Sequence, residues 1–277
     1  MLRSAAITLL LGLGATLAQT PAAQYDVHAI RFASVPYQVR NLVAGAEAGR
    51  SINIAFTIWA VRGQGRVVLV DAGFYRDKFK ERWKPQDFVK PSEALMTGLG
   101  IAPAAVTDII LTHSHWDHAD GVDLFPNARI WIQKDEYNFY IGENGTVAHN
   151  GGADADDAKV LFALNGAGRV SLVDGDAKEI LPGISVYTGG KHTFQSQFVS
   201  VRTAAGVVIL ASDNAYLYEN LEIKLPIAQT LDAASNLAAQ ARMFQLAASP
   251  KFVIPGHDPA VFERFPTPGK GVALIAR

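Results

Sequence analysis

Short apolar runs with strand-like composition alternate with helical patterns along most of the chain. Residues 52–73, INIAFTIWAVRGQGRVVLVDAG, contain two runs rich in Val and Ile that meet at Gly63-Gln64-Gly65, and this pattern predicts a β-hairpin. Residues 198–213 repeat the layout of Val-Arg, a turn of small residues, an apolar run and a final aspartate. Two similar halves favour a sandwich of two sheets, to which each half contributes strands.

Helical patterns predict layers that cover these sheets. Within residues 231–249, Asp232 is a candidate N-cap, and apolar residues recur every three or four positions, which predicts one face packed against a sheet. That face comprises Leu237, Ala241, Phe244 and Ala248. The basic stretch 78–84, KFKERWK, is interpreted as a solvated helix face and not as a binding patch. The other predicted helices cover approximately residues 75–83, 91–96, 134–140 and 156–164.

Composition favours a globular protein that acts on a small molecule. The chain has 277 residues, of which 49% are hydrophobic, and a formal net charge of −1. A sizeable core can therefore form, and the charge balance gives no attraction to nucleic acid. We expect one domain over residues 24–277 and a small-molecule partner. The sequence does not decide between a monomer and a homo-oligomer.

The first residues have the features of a secretory signal peptide. Arg3 precedes an apolar run from Ala5 to Leu17, and a small-residue site ends at Ala18. This pattern predicts a signal peptide over residues 1–18, extending at most to about residue 23, and an exported protein that is periplasmic or secreted. The run is short for a membrane span, and no later segment reaches 18 apolar residues, so we expect no stable membrane insertion after cleavage.

Residues 111–121, LTHSHWDHADG, concentrate side chains that bind metals. Three of the seven histidines, His113, His115 and His118, lie here beside Asp117. The chain has no cysteine, so any metal site must be built from His, Asp and Glu. Four such side chains in one loop cannot comfortably converge on one ion, but they can serve two ions side by side. A hydrogen-bonded polar loop is the structural alternative.

Three later positions share one form, in which a polar residue follows an apolar run at a turn. His192 follows a glycine pair after residues 184–187, Asp213 ends the run in VVILASD, and His257 follows a Pro-Gly pair. Loops at strand ends fix a side chain while leaving its polar tip accessible. Asp71, in the earlier VLVDAG, is expected to orient a ligand or to stabilise a turn, and Asp258 is a weaker candidate for the same role.

The order His113-x-His115-x-Asp117-His118, followed by His192, Asp213 and His257, resembles the metallo-β-lactamase superfamily over essentially all of residues 24–277. The resemblance implies an α+β fold, a four-layer αββα sandwich with a dinuclear metal site at the edge of the two sheets. It also implies two divalent ions, with zinc expected. The first ion would be held by His113, His115 and His192, and the second by Asp117, His118 and His257, with Asp213 bridging.

The segment ASDNAYLYEN is similar to the corresponding part of N-acyl-homoserine lactonases, in which a tyrosine three residues after the bridging aspartate faces the substrate. Here that residue is Tyr216. The resemblance implies that a hydroxide shared by the ions attacks a lactone carbonyl, that Tyr216 stabilises the oxyanion, and that Asp117 delivers a proton to the leaving alkoxide. Trp116 is expected to line the groove for the acyl chain.

Two departures from this family pattern border the predicted site. Many relatives have a His-Thr-Pro-Gly turn where this chain has His192-Thr193-Phe194-Gln195, and many have Gly-Gly after the histidine cluster where it has Ala119-Asp120-Gly121. Because of these departures, the family pattern does not determine which substrate the protein prefers. Alternatives to the lactonase are β-lactam hydrolysis, phosphotriester or phosphodiester hydrolysis, and an exported metal-binding protein without turnover. The remaining histidines, His28 and His149, are interpreted as ordinary surface or core residues.

Overall fold

A computed structural model describes residues 24–277. The predicted signal peptide therefore lies outside the described residues and stays a prediction. The strands are β1 (Asp26–Gln38), β2 (Ser51–Gly63), β3 (Arg66–Val70), β4 (Asp108–Ile110), β5 (Arg129–Gln133), β6 (Val170–Val173), β7 (Lys178–Leu181), β8 (Ile184–Thr188), β9 (Gln197–Thr203), β10 (Gly206–Ser212), β11 (Val253–Pro255) and β12 (Val272–Ala276).

The α-helices follow the predicted positions closely, and each of the five predicted helices exists. Their bounds are α1 (Asp77–Trp83), α2 (Pro91–Leu99), α3 (Trp116–Ala119), α4 (Lys134–Tyr140), α5 (Ala155–Gly166), α6 (Tyr218–Glu222), α7 (Ala233–Leu246) and α8 (Val261–Arg264). Short 3-10 turns cover Val39–Asn41, Pro103–Ala105, Val122–Leu124, Glu143–Gly145 and Pro250–Phe252. Within the described part of the chain, none of the helices combines the length and apolar character needed to cross a membrane.

Two sheets form the centre of the fold. The larger sheet has the order β12-β1-β2-β3-β4-β5-β6, and the smaller one has the order β11-β10-β9-β8-β7. In each sheet an antiparallel hairpin leads into parallel strands: β3 pairs with β4, and β10 pairs with β11, in parallel. Carboxyl ends of parallel strands meet at one edge of a sheet, and ligands of open α/β sheets bind there. The chain leaving these strands is therefore brought to a common edge.

The predicted hairpin is confirmed between β2 and β3. Gly63 pairs with Arg66, which leaves Gln64 and Gly65 as a two-residue turn. Both turn residues have positive φ, 53° and 70°, as a type I′ turn requires. The second predicted unit is β9 and β10, which occupy the other sheet. The repeated layout in the sequence therefore corresponds to one hairpin in each sheet.

Apolar side chains fill two cores, which give the fold four layers. Between the sheets, Val68 and Val70 of β3 belong to the same buried cluster as Val199 of β9 and Leu210 of β10. The opposite face of the larger sheet packs under α2, α4 and α5, and the Leu69 side chain of β3 lies in that second core. Helix α7 contributes Ala239 and Met243 to the cluster of the smaller sheet. The αββα arrangement predicted from the sequence is the one observed.

The predicted packing face of α7 is wrong, although its N-cap is correct. The Asp232 side chain accepts a hydrogen bond from the amide of Ser235. The predicted face is the exposed one, including Leu237 and Phe244, and the buried residues are instead Asn236, Ala239, Gln240 and Met243. Asn236 accepts a hydrogen bond from the Ile227 amide and donates one to the Asn214 carbonyl. Two amide side chains lie on the buried face because they bind loop backbone, which a hydrophobic pattern cannot predict.

Candidate metal centre and its pocket

Every residue that the sequence singled out as a metal ligand lies at the common edge of the two sheets. His113, His115, Asp117 and His118 follow β4, with the latter two on the single turn of α3. The other three follow β8, β10 and β11 as predicted, and they are His192, Asp213 and His257. Strands as far apart in sequence as β4 and β11 thus deliver their polar ends to one place.

The first group consists of His113, His115, His192 and Asp213, whose ligand atoms lie within 4.8 Å of one another. Nδ1 of His115 lies 2.9 Å from Nε2 of His113 and 2.9 Å from Nε2 of His192. Oδ2 of Asp213 lies 3.3 Å from His192 Nε2 and 3.7 Å from His113 Nε2. Three imidazole nitrogens and a carboxylate oxygen therefore face one point, which is a donor set that zinc accepts.

The second group consists of Asp117, His118 and His257, and it meets the first at Asp213. Oδ1 of Asp213 lies 3.3 Å from His118 Nε2 and 3.0 Å from His257 Nε2. Oδ2 of Asp117 lies 3.5 Å from His118 Nε2. Each oxygen of Asp213 thus faces a different group, which is the arrangement that a carboxylate shared by two ions requires.

The ring nitrogen that points away from the cluster has a partner in all five histidines. Metal-bound histidines almost always bond their outer nitrogen in this way, because the bond fixes tautomer and ring orientation. Three rings lie against backbone carbonyl oxygens: His115 against Gly151 at 3.0 Å, His192 against Gln229 at 2.8 Å and His257 against Ala55 at 3.0 Å. The other two lie against side-chain oxygens, His113 against Thr112 at 3.0 Å and His118 against Asp71 at 2.8 Å.

The atoms that point into the cluster fit a pair of cations. His118 Nε2 and Asp213 Oδ1 are buried and make no hydrogen bond. A buried polar atom without a partner is costly, and an ion between the groups would satisfy both atoms. The residues present therefore fit two divalent metal ions.

The pKa values of the histidines are shifted in opposite directions in the two groups. Burial, with the neighbouring His118, holds the pKa of His113 well below its ordinary value, and burial with His115 lowers the pKa of His192 to about 4. Both rings are therefore neutral, which is the form that binds metals. Burial also disfavours charge on His118 and His257, but the carboxylates of Asp213 and Asp117 together outweigh it and raise the pKa of both rings.

Asp71 connects both groups, as the sequence predicted for a residue that orients a ligand. Its fully buried carboxylate lies 2.8 Å from His118 Nδ1 and accepts hydrogen bonds from the amide and hydroxyl of Thr112 and from the hydroxyl of Ser212. Because the Thr112 hydroxyl also lies against His113, Asp71 acts on one group directly and on the other through Thr112. Asp258 does not share this role, since it accepts hydrogen bonds from the amides of Tyr218 and Ala260 and not from a ring of the cluster.

Both groups border a pocket of about 440 Å³. Asp117, Asp213 and Tyr216 line it, and the Tyr216 side chain is buried with its hydroxyl oxygen 3.2 Å from His192 Nδ1. A carbonyl oxygen can only accept, so His192 Nδ1 carries a hydrogen that points toward the Gln229 carbonyl. The Tyr216 hydroxyl oxygen can therefore only accept a hydrogen bond from this nitrogen. Burial, with the nearby Asp213, raises the pKa of Tyr216 well above its ordinary value, so its own proton remains available to the pocket.

One wall of the pocket is aromatic. Trp116 stacks on Phe79 at a centroid distance of 4.6 Å and on Trp83 at 5.5 Å. The last two lie four residues apart on α1, within the stretch that the sequence analysis interpreted as a solvated face, and they line the pocket together with Arg82. That interpretation is wrong for the two aromatic residues. Phe79 and Trp83 form an i, i+4 pair on one face of α1, and the many charged residues between and around them obscured this spacing in the sequence.

Nothing in the sequence indicated one residue beside the site, Glu136. The two departures from the family pattern, at Asp120 and Phe194, also lie near the site. Glu136 is fully buried next to the first group, and a carboxylate in the first turn of an otherwise ordinary helix gave no signal. Asp120 is buried and accepts hydrogen bonds from the amides of Tyr75 and Arg76, and Phe194 stacks on Phe139 at 4.0 Å. Of the histidines predicted to lie outside the site, His28 is on β1 and His149 stacks on Phe139.

Two packed sheets, helices on both outer faces and paired His/Asp groups at one edge define a class of metal-binding α+β sandwich. The chain belongs to the metallo-β-lactamase superfamily, because the profile of that family matches residues 57–257. The family and the fold expected from the sequence are therefore confirmed, and the paired groups agree with binding of divalent metals.

Curated relatives of this chain include N-acyl homoserine lactonases. The chain is 28% identical to one from Bacillus cereus over 172 residues, which are 59% of this chain and 60% of the relative. It is 29% identical over 167 residues to N-acyl homoserine lactonase AiiA from Bacillus thuringiensis subsp. kurstaki, with the same coverage. The alignment thus spans about 60% of the length of the curated relatives that it matches.

Solved structures with the same fold extend the similarity over nearly the whole chain. A quorum-quenching N-acyl homoserine lactone lactonase superimposes with a TM-score of 0.72 and 21% identity, covering 89% of this chain and 97% of the other. AidC, a dizinc quorum-quenching lactonase in complex with its product, superimposes with a TM-score of 0.66 and 16% identity, covering 93% and 96%. These structures support the fold.

Proposed function

We propose that the protein is a metal-dependent hydrolase that opens a lactone ring, with N-acyl-homoserine lactones as the substrate class. The observation that carries the proposal is the placement of Asp213, whose two oxygens face two separate ligand groups at the floor of a pocket. The kinship with N-acyl homoserine lactonases supports the choice of substrate among the hydrolytic reactions that such a site supports.

The metal ligands follow from the two groups. We assign His113, His115 and His192 to one ion, and Asp117, His118 and His257 to the other, with Asp213 shared and zinc as the metal. When bound, a pair of such ions supplies Lewis acidity and a nucleophile derived from water at neutral pH. The dizinc composition of AidC supports the choice of zinc.

Tyr216 and Asp117 perform the remaining chemistry. The Tyr216 phenol accepts from His192 and keeps its own proton, so it is able to donate a hydrogen bond to a carbonyl oxygen that gains negative charge. Asp117 lines the same pocket, and its side chain is 13% exposed against 6% for Asp213. Burial opposes its charge, but His118 lowers the pKa of Asp117, so the group is a carboxylate at rest. It would take the proton that the attacking water loses and pass it to the alkoxide that leaves when the ring opens.

The pocket walls fit a neutral substrate with an apolar tail. Phe79, Trp83 and Trp116 offer a continuous aromatic surface beside the ligand groups, and Arg82 is the one basic residue among the lining residues of the described chain, apart from histidines. An acyl chain would bury apolar surface against these rings. A strongly anionic phosphodiester would find little positive charge apart from the ions.

The decisive test is acid release, followed by a pH indicator, when the protein of known metal content meets an N-acyl-homoserine lactone. We expect metal-dependent proton release that is lost in His118→Ala and kept in His28→Gln, which changes a histidine distant from the pocket. Absence of release from protein that holds both ions would refute lactone hydrolysis. β-Lactams and phosphotriesters, tested in parallel, would then identify another hydrolase, and inactivity on all three would leave a metal-binding protein without turnover.

We also propose that the protein is exported, on the basis of the signal-like residues 1–18. N-terminal sequencing of the protein recovered from bacterial cells and medium tests this proposal. A mature chain that starts between residues 19 and 24 is expected, and a cytoplasmic chain that still begins with Met1 would contradict export.

A further inference from the structure

Glu136 makes an unusual set of contacts beside the candidate metal centre. Its carboxylate is fully buried on α4 and makes no ion pair within the described residues. Oε1 accepts hydrogen bonds from the amide and the hydroxyl of Ser114, at 3.1 and 2.9 Å. Oε2 accepts hydrogen bonds from the Thr193 hydroxyl at 2.9 Å and the Gln195 amide at 2.8 Å. These four donors use essentially all the acceptor positions of one carboxylate.

The partners of Glu136 belong to the two loops that carry the first group. Ser114 stands between His113 and His115, and Thr193 directly follows His192. One carboxylate thus joins, through its two oxygens, the chain segments of all three histidines of this group. The bonds to Ser114 lie between His113 and His115, four residues before His118, and none of the four reaches the segment of His257, so the main effect should fall on the first group.

The same helix holds the turn after His192 at a further point. The Tyr140 hydroxyl oxygen accepts a hydrogen bond from the Phe194 amide at 3.2 Å, and the Phe194 ring stacks on Phe139. A proline at this position would have no amide hydrogen to donate. In this chain, α4 therefore fixes by side-chain contacts a turn that a Pro-Gly sequence would fix by its own backbone preference.

We propose that Glu136 is a positioning residue for the first metal ion, because it fastens the His113–His115 loop to the turn that follows His192. The proposal rests on the proposed assignment of these histidines as ligands of one ion. Partners beyond the ligands typically change metal affinity by about 10- to 100-fold when they are lost. Glutamine at position 136 would place an amide group against two of the four donors and would release one of the two loops.

The test is a titration of the metal-depleted full-length protein with Co²⁺ in competition with a chelator, followed by the visible absorption of bound cobalt. We expect Glu136→Gln to weaken the binding of one ion by about 10- to 100-fold and to leave the other unchanged. Asp135→Asn is the matched control, because it removes the same charge from an exposed neighbour on the same helix. Thr193→Val removes a single donor and should act in the same direction with a smaller effect, which covers the case in which Glu136→Gln fails to fold.

A second arm identifies the affected ion. Glu136→Gln should add no further loss of cobalt affinity in a His192→Ala background, but should retain its effect in a His257→Ala background. Wild-type affinity for both ions in Glu136→Gln would overturn the proposal, and so would an equal loss of both ions, which indicates general destabilisation. Because metal binding is the readout, a protein inactive on lactones would refute the proposed reaction without deciding this test.

Discussion

Replacing Asp71 with asparagine should disable the second metal group through the tautomer of His118. An amide has one acceptor oxygen, while Asp71 accepts from the Thr112 amide on one side and faces His118 Nδ1 and the Ser212 hydroxyl on the other. The backbone amide can only donate, but an imidazole can move its proton to the other nitrogen. The side-chain NH2 group of the new asparagine therefore faces His118. His118 Nδ1 becomes the acceptor of its hydrogen bond, and His118 Nε2 then carries the proton.

That proton stands where the ion should bind, because His118 Nε2 is the atom 3.3 Å from Asp213. We expect the affinity for one ion to fall by about 10- to 100-fold, which equals about 1.4 to 2.8 kcal/mol. The exchange of a charge-assisted hydrogen bond for a neutral one should also lower the free energy of unfolding by about 1 to 1.5 kcal/mol. The first effect is specific to the metal, and the second is not.

The assay combines Zn²⁺ titration against a chromogenic chelator with urea unfolding of the metal-depleted protein. Asp258→Asn is the control, because Asp258 is a buried aspartate next to His257 whose hydrogen bonds go to backbone amides and not to a ring of the cluster. It should lose stability without losing metal affinity. If Asp71→Asn held two ions as tightly as the wild-type protein, the tautomer argument would be refuted.

Three further predictions follow from the site and its surroundings. Tyr216→Phe should lower kcat for lactone hydrolysis by about 100-fold or more with an unchanged content of two ions, and an unchanged kcat would exclude the proposed hydrogen bond. Because the pKa values of His118 and His257 are raised, binding of a metal ion to their group should release protons, and the affinity should increase with rising pH. The other group, whose histidines have lowered pKa values, should release few protons. Calorimetry in two buffers of different ionisation enthalpy measures the release, and equal release from both binding steps would contradict the prediction. Burial and the neighbouring Asp120 raise the pKa of Asp157 to about 9, although Arg76 lies 3.3 Å away, so the folded protein keeps a proton that the unfolded chain loses near pH 4. Stability should therefore fall as the pH rises from about 5 to about 9, and Asp157→Asn should flatten that fall in urea unfolding, where identical slopes would count against it.

The position of each candidate ligand could be predicted from the sequence because each one follows a strand at a turn. Strand, turn and side-chain type are local properties, and His113, Asp213 and His257 each combine them within about ten residues. Helix positions were predictable for the same reason, and α4 was placed at its observed bounds. Local patterns therefore indicated a sandwich of two sheets and the residues of the candidate metal centre, while the four-layer fold came from the family resemblance.

Which face of a helix is buried, and which carboxylate supports which loop, was decided only by tertiary structure. Helix α7 buries Asn236 and Gln240 because loop backbone needs partners there, and it exposes Leu237, which has the pattern of a core residue. Glu136 contacts Thr193, 57 residues away, through a hydrogen bond that no local pattern encodes. Hydrogen bonds between distant loops depend on the packing of whole sheets, so the sequence determined the candidate ligands, while the packed structure determined what holds them in place.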